Sequence, residues 1–520
     1  MKPAGLDLPF ELLPAPLPMW RAQVARDHWQ PVARRIAQAG GRLVALWGVD
    51  RRDDSGAGGF AVCAAAALPE GLAWLELALE ADAPSCPDLG AIFPCAQRMQ
   101  RAMTDTTGIV VEGARDARPW LDHGVWAAGL RPLRRDPAPA GDPWPASAYP
   151  ADYPFVRVEG DGVHEIAVGP VHAGTIEPGH FRFSVVGEKV LRLEERLGYV
   201  HKGIERRFTQ LSPLDAHRLA GRVSGDSTVA FTWAWCMALE SAAGCTVPER
   251  AQWLRALMLE RERVSNHLGD LGALGNDAGL AFGLAQFSRL REEWQRMSML
   301  AFGHRFMMDR VVPGGVDVDP GVVPLDRMSE QCDALEREVL ALRAIYDEHA
   351  GLQDRFMGAG RVSPELAAQL GLAGMAGRAS GQPADLRCDH PWPPYDRFGV
   401  AIATQRNGDV AARVAVRFDE TIESLRLVRT MCAGLPAGPV REAVRLPGRE
   451  AFGAGWVEGW RGEVFVALEL GADDRIRRCH CHDPSWQNWP VLEHAVIGNI
   501  VPDFPLINKS FNLSYSGHDL

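Results

Sequence analysis

Residues 246–271, TVPERAQWLRALMLERERVSNHLGDL, carry the clearest structural pattern in the chain. The TVPE at the start is a capping-box pattern, and Pro248 stands early in the helix, where its missing N–H costs little. Apolar residues then recur three or four positions apart: Ala251, Leu254, Leu257, Met258, Val264, Leu268 and Leu271. This spacing predicts a long helix that buries one face.

The surrounding sequence mixes helical and strand patterns. A second long helix is predicted from about residue 409 to 431, and the apolar stretch at 228–245 is typical of a buried core helix. Runs typical of strands lie at 43–49, 74–79, 155–158, 165–168, 180–186, 462–468 and 475–479. We therefore expect an α+β fold, with a small N-terminal α+β domain before a mainly helical domain that carries small peripheral sheets.

A proline-rich stretch, DPAPAGDPWP, begins at residue 136 and divides the chain. Such composition favours extended polyproline geometry and is typical of a semi-rigid linker. A chain of 520 residues is also too long for one compact core. We place the linker at 136–150, between an N-terminal domain at 1–135 and a second domain at 151–520.

Composition excludes several classes of function. The net charge of −11 argues against nucleic-acid binding. The first thirty residues lack a basic start followed by an apolar run, and Glu240 interrupts the longest apolar stretch, so neither a secretory signal nor a membrane span is expected. None of the ten cysteines forms a CxxC pair, which favours a reducing compartment and predicts no iron–sulfur cluster or zinc site in this chain.

Short motifs follow one another through the second domain. They are GPVH at 169–172, EPGHFR at 177–182, YVHKGIE at 199–205, VPERAQ at 247–252, NHL at 266–268, PGG at 313–315, YDRFG at 395–399 and GDV at 408–410. In this order they resemble the large subunits of hydrogenase-3 and hydrogenase-4 type enzymes and the 49-kDa subunit of respiratory complex I. Upstream, IFPC at 92–95 through RPLR at 131–134 resembles the complex I 30-kDa subunit, which hydrogenase-3 type subunits carry fused in the same order.

The chain departs from the hydrogenases at their metal ligands. In those enzymes two CxxC pairs bind nickel; here the resemblance places Ser224 and Ser227 at the early pair. It places Ser514 and Gly517 at the late pair. Nickel of this kind needs deprotonated sulfur, whereas a serine hydroxyl stays protonated near neutral pH and glycine has no side chain. We therefore expect no nickel.

Complex I, which the chain also resembles, has lost the nickel site and uses the vacated cavity for quinone. The resemblance matches His180 to the histidine that holds the quinone head group, but Arg222 stands where the tyrosine partner would be, so quinone binding is left open. Glu205 matches the glutamate that passes protons in the hydrogenases. A partly buried carboxylate with a raised pKa would keep that role here.

Five polar residues are expected to converge on one small pocket if the fold is that of the family: Ser224, Asp226, Ser227, Ser514 and His518. They would form either a proton or small-ligand site or a hydrogen-bonded network that fills the former metal cavity. The run CHCH at 479–482 resembles a metal site in composition alone. In a strand its cysteines face one way and its histidines the other, which favours an ordinary strand.

The leading interpretation is a non-nickel large subunit of a membrane-associated, energy-converting oxidoreductase complex, with Glu205, His180 and Asp226 as candidate catalytic residues. It implies an iron–sulfur small subunit that brings electrons and antiporter-like membrane subunits that move ions. It also implies a peripheral position on the cytoplasmic face of the cell membrane, with quinone or another small molecule as acceptor. The alternatives are a catalytically inert scaffold and a hydrogenase that holds nickel by other ligands, and whether the chain itself catalyses a reaction stays open.

Overall fold

The computed structural model describes residues 3, 5–53, 58–136, 152–172, 174 and 176–520. The strands are β1 (Glu11–Leu12), β2 (Met19–Gln23), β3 (Arg42–Asp50), β4 (Phe60–Leu68), β5 (Gly71–Leu79), β6 (Ser85–Pro87), β7 (Val110–Glu112), β8 (Val163–Val168), β9 (His180–Val186), β10 (Lys189–Arg196), β11 (Val311–Val312), β12 (Gly315–Val316), β13 (Ala451–Glu458), β14 (Glu463–Leu470) and β15 (Ile476–His482). The helices are α1 (Trp29–Gln38), α2 (Ala96–Thr107), α3 (Ile204–Phe208), α4 (His217–Ala220), α5 (Thr228–Ala243), α6 (Glu249–Asp277), α7 (Ala281–Phe302), α8 (Val322–Glu348), α9 (Ala350–Phe356), α10 (Pro364–Leu370), α11 (Gly374–Ala379), α12 (Leu386–Asp389), α13 (Val410–Gly434), α14 (Ser485–Ala495), α15 (Phe504–Phe511) and α16 (Tyr515–Asp519). The predicted linker lies, from residue 137 onward, outside the described residues.

The N-terminal part is built on a five-stranded sheet in the order β1-β2-β5-β4-β3. Strands β2 and β5 run parallel, and the other neighbours are antiparallel. Every residue of β4 is buried, which indicates that both faces of the sheet are covered. Helix α2 packs on β3, while Trp47 and Trp74 contact Phe465 and Phe452 of the second part. The expected α+β fold is confirmed.

Ion pairs cross between the N-terminal sheet and the sheet formed by β13, β14 and β15. Arg51 donates to Glu469 at 2.7 Å, and Arg42 pairs with Glu463. Both glutamate side chains are almost fully buried, so they need these partners. One continuous hydrophobic core also runs through both parts. The two predicted domains are therefore packed together through charged as well as apolar contacts.

Helix α5 lies directly on strand β13, as expected for a buried core helix. Gly453 and Gly455 of β13 permit this approach, because a Cβ at Gly455 would stand 1.8 Å from the carbonyl oxygen of Ala234. The strands are antiparallel in the order β13-β14-β15. Within the described part of the chain, no helix combines the length and the apolar character that a bilayer span requires.

Helices α6 and α13 form where the sequence predicts long helices, but α6 is buried on more than the one predicted face. Its charged residues Glu260 and Arg263 are buried, because they pair with each other and with residues of neighbouring elements. The predicted capping box is wrong. Pro248 is the N-cap residue, and no side chain caps the helix there, because Thr246 lies outside the first turn.

A smaller sheet, in the order β10-β9-β8, contains the strands predicted at 165–168 and 180–186. The strand predicted at 155–158 is not formed. The backbone N–H of Val156 donates to the Glu194 carboxylate at 2.8 Å instead of to a neighbouring strand, and Phe155 packs against the ring of His180. Side-chain contacts thus hold this segment in an extended but unpaired form.

Candidate functional site

Two loops bring the predicted serines together. Ser224 is extended, and the tight turn Gly225–Ser227 that follows leads into α5, so Ser224 and Asp226 lie on one side of the turn. Ser514 is the N-cap of α16, and its hydroxyl oxygen accepts from the Gly517 N–H at 2.8 Å. The hydroxyl oxygens of Ser224 and Ser514 lie 2.9 Å apart. The structure thus brings Ser224, Asp226 and Ser514 together.

The directions of the hydrogen bonds follow from the carboxylate. The Ser224 hydroxyl donates to Asp226 Oδ1 at 2.8 Å, since an ionised carboxylate can only accept. The Ser514 hydroxyl must then donate to Ser224. Both serines are almost fully buried, so each hydroxyl is satisfied without a metal ion.

Arg461, in the turn between β13 and β14, completes this network and was missed from the sequence. Its guanidinium binds Asp226 in bidentate fashion, at 2.8 and 2.6 Å, and lies 3.3 Å from the Ser227 hydroxyl. Its Nε donates to the carbonyl of Asn512 at 2.6 Å, which ties the late loop to the early one. Burial raises the pKa of Asp226, but Arg461 and the Ser224 hydroxyl outweigh it, so the pKa lies below its usual value.

A carboxylate lies beside Gly517, the residue that the resemblance aligns with the fourth metal-binding cysteine. A Cβ at Gly517 would lie 2.5 Å from Asp483 Oδ2 and 2.8 Å from the Ser514 hydroxyl oxygen. Asp483 is buried; its Oδ1 accepts from the Ser485 N–H at 2.8 Å, and its Oδ2 has no hydrogen-bond partner among the described residues. Burial raises the pKa of Asp483, with Arg461 opposing. A cysteine side chain here would require the Asp483 carboxylate and the Ser514 hydroxyl to move.

The network opens into a cleft of about 910 Å³, which we call the serine-lined cleft. Its charged and polar lining includes Glu177, Ser224, Asp226, Asp270, Arg461, Lys509 and Ser514. Asp270 accepts from Lys509 at 3.1 Å and from Arg417 at 3.0 Å. Burial raises the pKa of Asp270, but these cations outweigh it and hold the pKa at about 2. The cleft is thus lined by fixed charges of both signs.

Glu177, in the EPGHFR motif, is the acidic residue that this motif contributes to the cleft. Its Oε2 accepts from both the backbone N–H and the hydroxyl of Ser516, at 3.0 and 2.9 Å. From the sequence, His180 is the candidate site residue of this motif, and Glu177 is missed. The signal that could have found Glu177 is its position in the same motif, three residues before His180.

Four predicted site residues lie elsewhere: His180, Arg222, His518 and Glu205. His180 Nδ1 is 2.9 Å from the Gly169 carbonyl, and its Nε2 accepts from Arg182 at 3.3 Å, so both ring nitrogens have partners. Arg222 forms a bidentate pair with Asp309, at 2.6 and 2.8 Å, and its side chain is 45% exposed.

His518 is fully buried, and its imidazole stacks on the indole of Trp486 with ring centroids 4.0 Å apart. Its Nδ1 is 2.9 Å from Asp519 Oδ1. Burial lowers the pKa of His518, against the effect of Asp519. His518 therefore belongs to the packing behind the late loop rather than to the serine network.

Glu205 lies in the first turn of α3 and faces β15. Its Oε1 accepts from Arg478 at 2.8 Å and lies 2.7 Å from His480 Nδ1. The expected raised pKa is wrong: burial does raise it, but Arg478 and His480 outweigh burial and hold the pKa of Glu205 at about 2. The carboxylate is ionised at neutral pH and forms part of an ion pair.

The CHCH run forms strand β15, as predicted, with Cys479 and Cys481 buried. Among the residues that the structure describes, no group of three or more histidine, cysteine or acidic side chains is arranged to hold a metal ion. His480 was taken from the sequence for an ordinary strand residue. Its partnership with Glu205 joins positions 275 residues apart, and no local pattern indicates it.

Comparison with known proteins shows the family of the chain. The family described as respiratory-chain NADH dehydrogenase, 49 Kd subunit, matches residues 277–452, and the corresponding 30 Kd subunit family matches residues 22–143. Formate hydrogenlyase subunit 5 of Escherichia coli (strain K12) is 32% identical, over 92% of this chain and 85% of that protein. Hydrogenase-4 component G of the same organism is 31% identical, over 85% of this chain and 77% of that protein.

A solved structure is also similar. It is that of the membrane-bound sulfane sulfur reductase, described as an archaeal respiratory membrane complex. One of its chains superposes with a TM-score of 0.65 at 25% identity, over 71% of this chain and the whole of that one. A helical body with a central cleft, fused behind a 30-kDa-type domain, defines the class. The chain belongs to the family of large subunits shared by complex I and the formate hydrogenlyase and hydrogenase-4 type complexes.

We predict that Glu205→Gln destabilises the protein at pH 7 but weakens its response to acid. A carboxyl whose folded pKa is depressed contributes stability above its unfolded pKa, near 4.3, and loses it as the pH falls towards about 2. The contribution is at most about 3 kcal/mol. Urea unfolding midpoints of both proteins between pH 7 and pH 3 measure it. The gap between the two should narrow below about pH 4.5, and a constant gap would contradict the ion pair.

We also predict that Gly517→Ala destabilises the protein by about 1–3 kcal/mol, because its methyl group would collide with the Asp483 carboxylate. In an Asp483→Ala background the same change should cost at least about 1 kcal/mol less. Denaturant unfolding of the two single variants and the double variant measures this coupling. Additive effects would show that Asp483 does not fill the space beside Gly517.

Proposed function

We propose that this chain is the non-nickel large subunit of a membrane-associated, energy-converting oxidoreductase complex. The observation that carries the proposal is the Asp226–Arg461 ion pair, joined to Ser224 and Ser514, at the positions where nickel ligands would stand. The family relationship supports the class of complex, since relatives include subunits of formate hydrogenlyase, hydrogenase-4 and NADH-quinone oxidoreductase.

The donor set does not fit nickel. Ser224 and Ser514 are hard, protonated oxygen groups that hydrogen-bond each other, whereas this type of nickel centre needs soft thiolates. Gly517 offers no ligand, and Asp483 blocks a larger residue there. We therefore propose that the chain binds neither nickel nor an iron–sulfur cluster and that electrons arrive from clusters in a partner subunit.

The chemistry of the cleft favours a small polar electron acceptor over a quinone. Fixed charges of both signs line it, including Arg461, Lys509 and Asp270. A charged small molecule would find a counter-ion on either side, whereas an apolar ring and tail would have to desolvate these groups. His180 and Arg222, the two residues that relate to the quinone site in the resemblance, are engaged with other protein groups. Quinone is thus the second acceptor that experiments should test.

Exposed apolar residues at the mouth of the serine-lined cleft favour a docked partner protein. Ile176 and Leu284 line it, and their side chains are 51% and 37% exposed, while the neighbouring Phe282 is 49% exposed. Apolar groups around a charged cleft are typical of a surface that another protein covers. We propose that an iron–sulfur small subunit covers this mouth and that antiporter-like membrane subunits hold the assembly at the cytoplasmic face of the membrane.

The inert scaffold remains the second candidate, and one observation favours it. The hydroxyls of Ser224 and Ser514 and the carboxylate of Asp226 are all paired within the protein, as in a network whose purpose is structural. A scaffold needs the network to be intact but needs no charge at the open cleft. The two functions therefore differ in how they respond to the loss of one charge.

We predict that Asp226→Asn in the intact complex lowers electron transfer and ion translocation at least tenfold while the complex still assembles. Asparagine keeps the size and the bond from Ser224 but removes the charge that faces Arg461 and the cleft. Rates in membranes or reconstituted vesicles measure the effect. Asp347→Asn on α8, whose side chain is 67% exposed, is the matched control and should behave as the wild type. Unchanged rates in Asp226→Asn would favour the scaffold.

A further inference from the structure

A second internal space lies between the N-terminal sheet and strand β15, and we call it the junction cavity. It measures about 30 Å³ and is lined among others by Trp47, His201, Glu205, His480 and His482. A water molecule needs at least about 10–15 Å³ of such space and two or more polar partners. The junction cavity therefore has room for about two water molecules, in polar surroundings.

The proton positions on His480 follow from its neighbour. Glu205 is ionised, so its Oε1 accepts, and His480 Nδ1 at 2.7 Å must carry the proton. In the neutral ring, Nε2 then has a lone pair. This atom is buried and has no hydrogen-bond partner within the described part of the chain. A lone pair left without a donor in the interior is destabilising, because the atom has lost its hydrogen bond to water.

The other two imidazoles are arranged alike. Gln487 donates its amide N–H groups to two backbone carbonyls of β3, so its Oε1 faces His482 Nε2, at 2.9 Å, and that nitrogen carries the proton. His201 Nδ1 lies 2.7 Å from the carbonyl of Asp519 and is protonated for the same reason. Each neutral ring therefore keeps one nitrogen with a lone pair. Of these nitrogens, His480 Nε2 is the one that is buried without a partner among the described residues, and a water molecule in the junction cavity would supply its hydrogen donor.

Of the three rings, His480 is best placed to bind a proton. Glu205 supplies a negative charge in direct contact, and the indole of Trp47 stacks on the imidazole with ring centroids 4.8 Å apart and planes 11° apart. Both contacts favour the imidazolium. Burial acts in the opposite direction and, together with the charge of Arg478, keeps the pKa of His480 below its usual value despite the contact with Glu205.

The junction cavity lies next to a cleft at the protein surface. Glu205 and Arg478 line both the junction cavity and a surface cleft of about 660 Å³, whose rim includes Arg206 and Arg475. The side chain of Arg475 is 84% exposed, so this cleft opens to bulk water. A proton from solvent thus needs to pass only the Glu205–Arg478 pair to reach His480.

We propose that the junction cavity holds ordered water and that His480 is its proton-binding group, with Glu205 as a positioning residue that supplies the counter-charge. A proton leaves a hydronium ion in the cavity and binds His480 Nε2, while Nδ1–H keeps its bond to Glu205. The imidazolium–carboxylate pair forms without any other bond changing, and release is the reverse. A role of this proton site in coupling electron transfer to ion translocation rests on the proposed function. The existence of the proton site does not.

The test uses histidine hydrogen–deuterium exchange, followed by mass spectrometry as a function of pH, on the full chain. His480 should titrate in the wild type, and in Glu205→Gln its midpoint should fall by one pH unit or more, a tenfold or greater loss of proton affinity. The exposed His494 provides the internal control and should behave alike in both proteins. Equal midpoints for His480 in the two proteins would overturn the proposal.

A second measurement addresses the same site in the assembled complex. His480→Gln keeps a donor towards Glu205 but cannot bind a proton, so one ionisation should vanish from the pH profile of electron transfer. A uniform loss of rate with an unchanged profile would indicate a structural role and would overturn the assignment. If the wild-type complex shows no proton-dependent electron transfer, the proposed function fails, while the histidine titration still decides whether His480 binds protons.

Discussion

The ion pair between Asp226 and Arg461 is the contact on which the rest of the cleft depends. It joins the turn before α5 to the turn between β13 and β14, and Arg461 extends it to the backbone of Asn512. A bidentate arginine–carboxylate pair fixes geometry as well as charge. The serines then take their positions and proton directions from this pair.

This arrangement keeps the architecture of the family but changes its chemistry. The early and late loops meet, and oxygen and nitrogen groups hydrogen-bond one another at the positions that the resemblance aligns with metal-binding cysteines. Asp483 lies beside Gly517, and a cysteine side chain at that position would collide with its carboxylate. Separately, Glu205 and His480 form a polar junction between the N-terminal sheet and β15. Two charged regions with different surroundings thus coexist in one subunit.

The sequence predicts the main helices and strands because their spacing is a local signal, and the meeting of the two loops is predicted by the family resemblance that the ordered motifs carry. The sequence does not predict the role of Arg461. This residue is a single arginine in a hairpin turn, and its long-range ion pair depends on tertiary packing. The effect of burial and of neighbouring charges on a pKa also depends on the tertiary structure. Glu205 was expected to have a raised pKa, but Arg478, far away in sequence, reverses the direction. His180 and Arg222 were placed by resemblance, and local partners hold them away from the cleft.

The most direct test is a high-resolution cryo-electron microscopy structure of the native complex, combined with metal analysis of the same sample. The account predicts continuous density for the guanidinium of Arg461 against Asp226, the two serine hydroxyls in contact, and no stoichiometric nickel. A nickel-iron centre seated between Ser224, Ser227 and Ser514, with Arg461 turned away, would contradict it.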